Sequence, residues 1–122
     1  MTEIRETTKH PLIASDRIQG TVVRRSTGEH VGKIERLMVD KVSGTIAYAV
    51  MSFGGLFGLG SSHYPIPWSL LKYNPTLDAY ESDISDEQLA KTQSFENMDF
   101  GNRADQEALH AHYGVGPYWK SI

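Results

Sequence analysis

Apolar residues recur at two-residue spacing from Ile18 to about Tyr80, broken by short turns, and this pattern predicts strands. The first run, Ile18–Arg25, carries Val22 and Val23. It ends at Ser26-Thr27-Gly28-Glu29, a turn in which glycine supplies a positive φ. Val31–Lys41 changes phase along its length, with Ile34 in one alternation and Leu37 and Val39 in the other. One extra residue near Glu35-Arg36, a β-bulge, would return all three to one face. After Val42-Ser43-Gly44, the run Thr45–Phe53 is the most β-prone of the chain. Both of its faces are apolar, Ile46/Tyr48/Val50 and Ala47/Ala49/Met51/Phe53. Such a strand is covered on both sides, so one face needs a second layer or another subunit.

A glycine-rich stretch, residues 54–62, separates this strand from His63–Pro67. Pro65 and Pro67 cannot donate to a ladder, which predicts an edge strand. Ser69–Tyr73 and Thr76–Ser82 read as a last strand pair around Asn74-Pro75. Helix is predicted only beyond. Ser85-Asp86-Glu87-Gln88 fits a capping box opening a short helix to about Thr92. Asn102 is placed to cap Arg103–Tyr113, with Gly114 as terminator. The weak apolar face Ala104/Ala108/Ala111 predicts a helix lying on the surface. The pattern thus divides the chain into an arm (1–12) whose Leu12 and Ile13 can dock, a β unit (13–82) and a helical extension (83–122) that ends in Tyr118 and Trp119. The expected fold is mainly β: a small antiparallel barrel of five to six strands with one or two short C-terminal helices.

A length of 122 residues holds one ordinary domain, and 39% hydrophobic with 22% charged residues is a globular composition. The absence of cysteine excludes disulfides, thiol chemistry and cysteine-ligated zinc. Met1–His10 is polar and mixed in charge, unlike a signal peptide, and no apolar run is long enough to span a bilayer. A cytoplasmic protein is expected. Charge is unevenly spread: residues 1–74 hold nine basic and six acidic groups, residues 75–122 three and nine. Arg24, Arg25, Lys33 and Arg36 form a basic patch that could meet phosphates. The competing reading is a solvated strand pair whose charges meet the acidic C-terminal half, and the negative net charge favours it.

Other candidate chemistry is sparse. Gly55, Gly58 and Gly60 match neither GxGxxG nor a P-loop, and they lead into a proline-bearing strand with no helix N-terminus to receive an anion. Leu56, Phe57 and Leu59 in that stretch are either a lid over one end of the barrel or a contact for another protein. His110 and His112 lie about 200° apart on a helix and cannot share an ion. Glu107 and His110 share a face but have no companion on another helix, which predicts a solvated pair. Asp83, Asp86 and Glu87 sit where a helix dipole favours negative charge. No nucleophile elbow occurs, and no catalytic residue, metal or cofactor is expected.

Gly20-Thr21-Val22-Val23, Ser26 through Ile34, Leu37-Met38-Val39-Asp40, Ser43-Gly44, Ile46–Met51 and Tyr64-Pro65-Ile66-Pro67-Trp68 together resemble the PRC-barrel family, over roughly residues 13–82. The family includes the cytoplasmic barrel of the photosynthetic reaction centre H subunit and the barrel of a ribosome maturation factor. With no apolar span and no further domain before the barrel in this sequence, the free-standing bacterial type is the expected match. The resemblance implies a small β-barrel acting mainly as a protein-contact module, with no catalytic residues to carry over. The expected function is a non-catalytic scaffold that forms a homodimer and binds one further, unidentified protein. Its contact residues would be Met51, Phe53, Leu56, Phe57, Leu59 and Trp68. The alternative is a nucleic-acid or ribosome-associated factor using the basic hairpin 24–41.

Overall fold

A computed structural model describes residues 12–53 and 63–120. Its elements run α1 (Ser15–Ile18), β1 (Val22–Arg24), β2 (His30–Val39), β3 (Ile46–Ser52), β4 (His63–Pro67), β5 (Lys72–Asn74), β6 (Ala79–Glu81), α2 (Asp86–Ala90) and α3 (Arg103–Tyr113). Three short 3-10 turns, Trp68–Leu70, Phe95–Asn97 and Tyr118–Lys120, punctuate them. The fold is mainly β. One sheet orders the strands β4-β3-β2-β1-β6-β5.

One expectation about that sheet is corrected, and one is met only in part. The β1–β6 pair is parallel, with Val23 beside Tyr80, so the sheet is mixed. Among the described residues no ladder joins β4 to β5, so the sheet is not closed there. These edge strands are nonetheless consecutive in sequence, joined by residues 68–71, and Trp68 reaches Tyr80 of β6 with ring centroids 5.3 Å apart. Proline-bearing β4 lies at an edge, where its missing N–H groups cost nothing. The chain also starts differently from the strand pattern. Ile18 closes a helical turn, and β1 is only three residues long.

The bulge falls where the phase change puts it. The β2–β3 register slips between Ile34 and Arg36, so Ile34 faces Met51 and Leu37 faces Ala49. Paired residues point to one side of a sheet, so Ile34 and Leu37 share a face. Val39 does not join them. A second slip between Met38 and Val39 intervenes, and Val39 is 53% exposed.

Val23, Ile34, Ala49, Met51 and Ile66 are all fully buried on one face of the sheet. Gly32 lies among them because a side chain does not fit. A Cβ there would lie well inside contact with the Ser52 carbonyl oxygen and 3.0 Å from Met51 Cγ. The opposite face of β3 carries Tyr48 and Val50, also buried. Its cover comes from the same chain. Phe100, His110 and Tyr118 pack their rings 5.5–5.6 Å from that of Tyr48. The second layer demanded by a strand apolar on both faces is therefore the C-terminal segment.

That segment begins at the Ser85–Gln88 capping box, in which both reciprocal bonds form. Asn102 caps α3, and Gly114 ends it at φ 68° in the left-handed region. Here the expected face is wrong. Ala104, Ala108 and Ala111 are exposed, while Gln106, Leu109, His110 and Tyr113 are buried. The helix turns polar side chains inward because Tyr48 and Thr92 offer them partners.

Candidate interaction surface

The strands β3 and β4 form a hairpin whose connection is residues 54–62. At its root Ser52 pairs with His63 and Met51 with Tyr64. Phe53, just past β3, meets Tyr64 edge to face, with centroids 6.3 Å apart and planes at 71°. Both rings are half-buried and pack against the core.

Of the expected contact residues, Phe53 is at this rim, and Leu56, Phe57 and Leu59 lie outside the described residues. Met51 has no exposed surface; it belongs to the core and offers nothing to a partner. Trp68 is half-buried against Tyr80 of β6.

Beside the rim, His63 Nδ1 lies 2.8 Å from Glu96 Oε2. This hydrogen bond holds the Glu96 carboxylate below its usual pKa. Arg36, from β2, lies over the Phe95 ring at 5.5 Å. One short turn, Phe95–Asn97, is thus gripped from β4 and from β2. Glu96 stands 33 residues from His63, so no local signal marks the pair. Glu107 and His110 do not form the expected solvated pair, since Glu107 is exposed and His110 buried.

The basic patch is largely engaged by its own chain. Arg25 donates through Nε and Nη2 to the Ile84 carbonyl at 3.0 and 2.9 Å. It also pairs with Asp86 at 2.6 Å and Glu29 at 2.9 Å. The bond to Asp86 leads the causes that raise its pKa. Arg24 Nη1 donates to the Gly28 carbonyl at 2.9 Å, and Lys33 remains exposed. Asp83 accepts from the backbone N–H and hydroxyl of Ser26, which lower its pKa. The β1–β2 turn is in this way stapled to the start of α2. The acids flanking that helix all have structural partners, with Glu87 reaching Lys91 at 3.4 Å.

The described residues also border concavities. A groove of about 610 Å³ is bordered by Ile13, Arg17, Tyr73, Leu77 and Asp78. A smaller one of about 170 Å³ lies between Trp68, His110 and Tyr118. Among the described residues, no group of three or more metal-ligating side chains converges, and no helix is long and apolar enough to cross a membrane.

These features define a small β domain, built on one mixed sheet and backed by its own C-terminal aromatic layer. The chain belongs to the PRC-barrel domain family, whose family model matches residues 11–89. The match takes in the whole sheet and runs on into α2. No curated protein matches the chain.

Proposed function

We propose that this protein is a non-catalytic contact module that self-associates and binds one further protein through the rim of the β3–β4 hairpin, in the cytoplasm. The observation that carries the reading is the half-buried Phe53–Tyr64 pair at the hairpin root. The chain leaving that root carries Leu56, Phe57 and Leu59 within seven residues of Phe53. Exposed apolar patches often mark contact surfaces, and a symmetric dimer is the commonest assembly for such a patch. The faces of β3 are no longer candidates, because both are covered within the chain. The nucleic-acid alternative is weakened for a parallel reason: the guanidinium of Arg25 already has three partners, and that of Arg36 lies on Phe95.

The test is affinity capture of the tagged full chain from native lysate with mild cross-linking, beside a Phe57→Asp bait. A stoichiometric protein partner lost in the variant, and retained as salt is raised, supports the contact reading. Capture of nucleic acid that falls steeply with salt, and is indifferent to Phe57→Asp, would replace it.

A further inference from the structure

Tyr48 stands in the middle of β3 at 1% exposure, and its hydroxyl faces two atoms at once. Gln106 Oε1 is 2.8 Å away and His110 Nε2 is 3.0 Å away. The far ends of both side chains are fixed. Gln106 Nε2 donates to the Phe100 carbonyl at 3.1 Å, which turns its oxygen toward Tyr48. His110 Nδ1 faces the Gly116 carbonyl at 3.1 Å. A carbonyl only accepts, so Nδ1 carries the proton of the neutral ring.

The chain therefore has four links and needs one proton in each. Gln106 supplies the proton toward Phe100, neutral His110 the one toward Gly116, and Tyr48 has a single proton for its two remaining acceptors. The buried chain is one proton short. An imidazolium supplies the fourth: Nε2–H then donates to the Tyr48 oxygen, and Tyr48 donates to Gln106.

We propose that His110 is a proton-operated latch in the seam between α3 and β3. Neutral, it leaves the Tyr48 hydroxyl divided between two acceptors; protonated, it completes the chain and fixes that hydroxyl on Gln106. Among the described residues, the titratable or charged groups placed around the ring are Tyr48 from β3, Tyr118 from the C-terminal turn, and Arg103, which lies 3.9 Å over the neighbouring Trp119 ring. None of these is an acid. The small concavity on the sheet side brings only Thr45, Ser69, Trp68 and other uncharged groups. Burial lowers the pKa of His110 against the hydrogen bond to the Gly116 carbonyl, which raises it, so the latch works on the acid side of neutrality.

The test is imidazole ¹⁵N NMR on the full chain, titrated from about pH 8 to about pH 4. The neutral form is expected as the Nδ1–H tautomer. In Gln106→Leu the Tyr48 proton passes wholly to Nε2, so the neutral ring is satisfied and its pKa falls by about half a unit or more. In a Tyr48→Phe background the same change leaves the pKa where it stands, because the connecting hydroxyl is gone. Simple loosening of the packing would instead admit water and raise the pKa toward about 6.5. An Nε2–H tautomer in the unaltered protein, which needs no variant to observe, overturns the proposal. So does a His110 pKa that is unchanged or raised by Gln106→Leu.

Discussion

Replacing Gly32 by alanine tests the central packing of the sheet. The new methyl would collide with the Ser52 carbonyl oxygen and would stand 3.0 and 3.1 Å from Cγ and Sδ of Met51. The methionine end can shift, but the carbonyl cannot move without its strand. That strand has Val50 and Met51 fully buried on opposite faces, so it has little room on either side. Overpacking of this kind costs about 1–3 kcal/mol, and a backbone clash belongs at the upper end. Alanine also restricts the unfolded chain, which offsets about 0.4–1 kcal/mol. The net loss is about 2 kcal/mol. For 122 residues, an unfolding entropy of about 2.1 cal/mol/K per residue converts this to a fall in Tm of about 8 °C. Thermal and urea unfolding followed by tryptophan fluorescence would measure it, with Gly116→Ala as the control. At Gly116 a Cβ meets nothing within 4 Å, and the change is expected to stay within about 0.5 kcal/mol. A Gly32→Ala protein as stable as the parent would mean that β2 and β3 do not approach as closely as described.

Further outcomes follow from the staples and the buried rings. Arg25→Leu removes the links to Ile84, Asp86 and Glu29, and a loss of about 1–2 kcal/mol is expected in urea unfolding, with Arg25→Lys recovering only part of it. His110 has its pKa lowered in the fold, so its contribution is full above the unfolded value and is lost as pH falls through the folded one. A urea midpoint that declines on acidification below about pH 6.5, and declines less in His110→Gln, is the expected result. Burial pushes the pKa of Tyr113 up to about 12, so its contribution is complete below the unfolded value of about 10 and disappears as pH rises through 12. Stability measured across that alkaline window should fall in the parent and fall less in Tyr113→Phe.

What could be read from the residues was what leaves a local mark. The phase change between Ile34 and Leu37 located the bulge, because a period of two admits no other way to keep both on one face. Ser85 with Gln88, and Asn102 with Gly114, located helix ends because caps are short-range chemistry. The apolar faces of Thr45–Phe53 signalled a second layer without saying whose. Long-range pairing left no such mark. Nothing in Val22–Arg24 announces Ala79–Glu81 as its parallel neighbour. The buried face of α3 leaves no local mark for a related reason: Gln106 and His110 look solvent-facing until Tyr48, some 60 residues earlier, provides the partner that lets them be buried. The same holds at the candidate surface. Phe53 and Trp68 could be singled out as large apolar groups beside a loop, whereas the grip of His63 on Glu96 could not. Met51 is in the core and not at the surface, and an alternating strand does not reveal which face becomes the core.

The most direct test of the contact reading is the solution mass of the full chain by light scattering across a concentration series, beside Phe57→Asp and Val42→Asp. Val42 is 92% exposed at the distant β2–β3 turn and serves as a charge-matched control. The expected result is a dimer for the parent and for Val42→Asp, and a folded monomer for Phe57→Asp. A parent that stays monomeric at every concentration, or a dimer that survives Phe57→Asp unchanged, would contradict self-association through the β3–β4 rim.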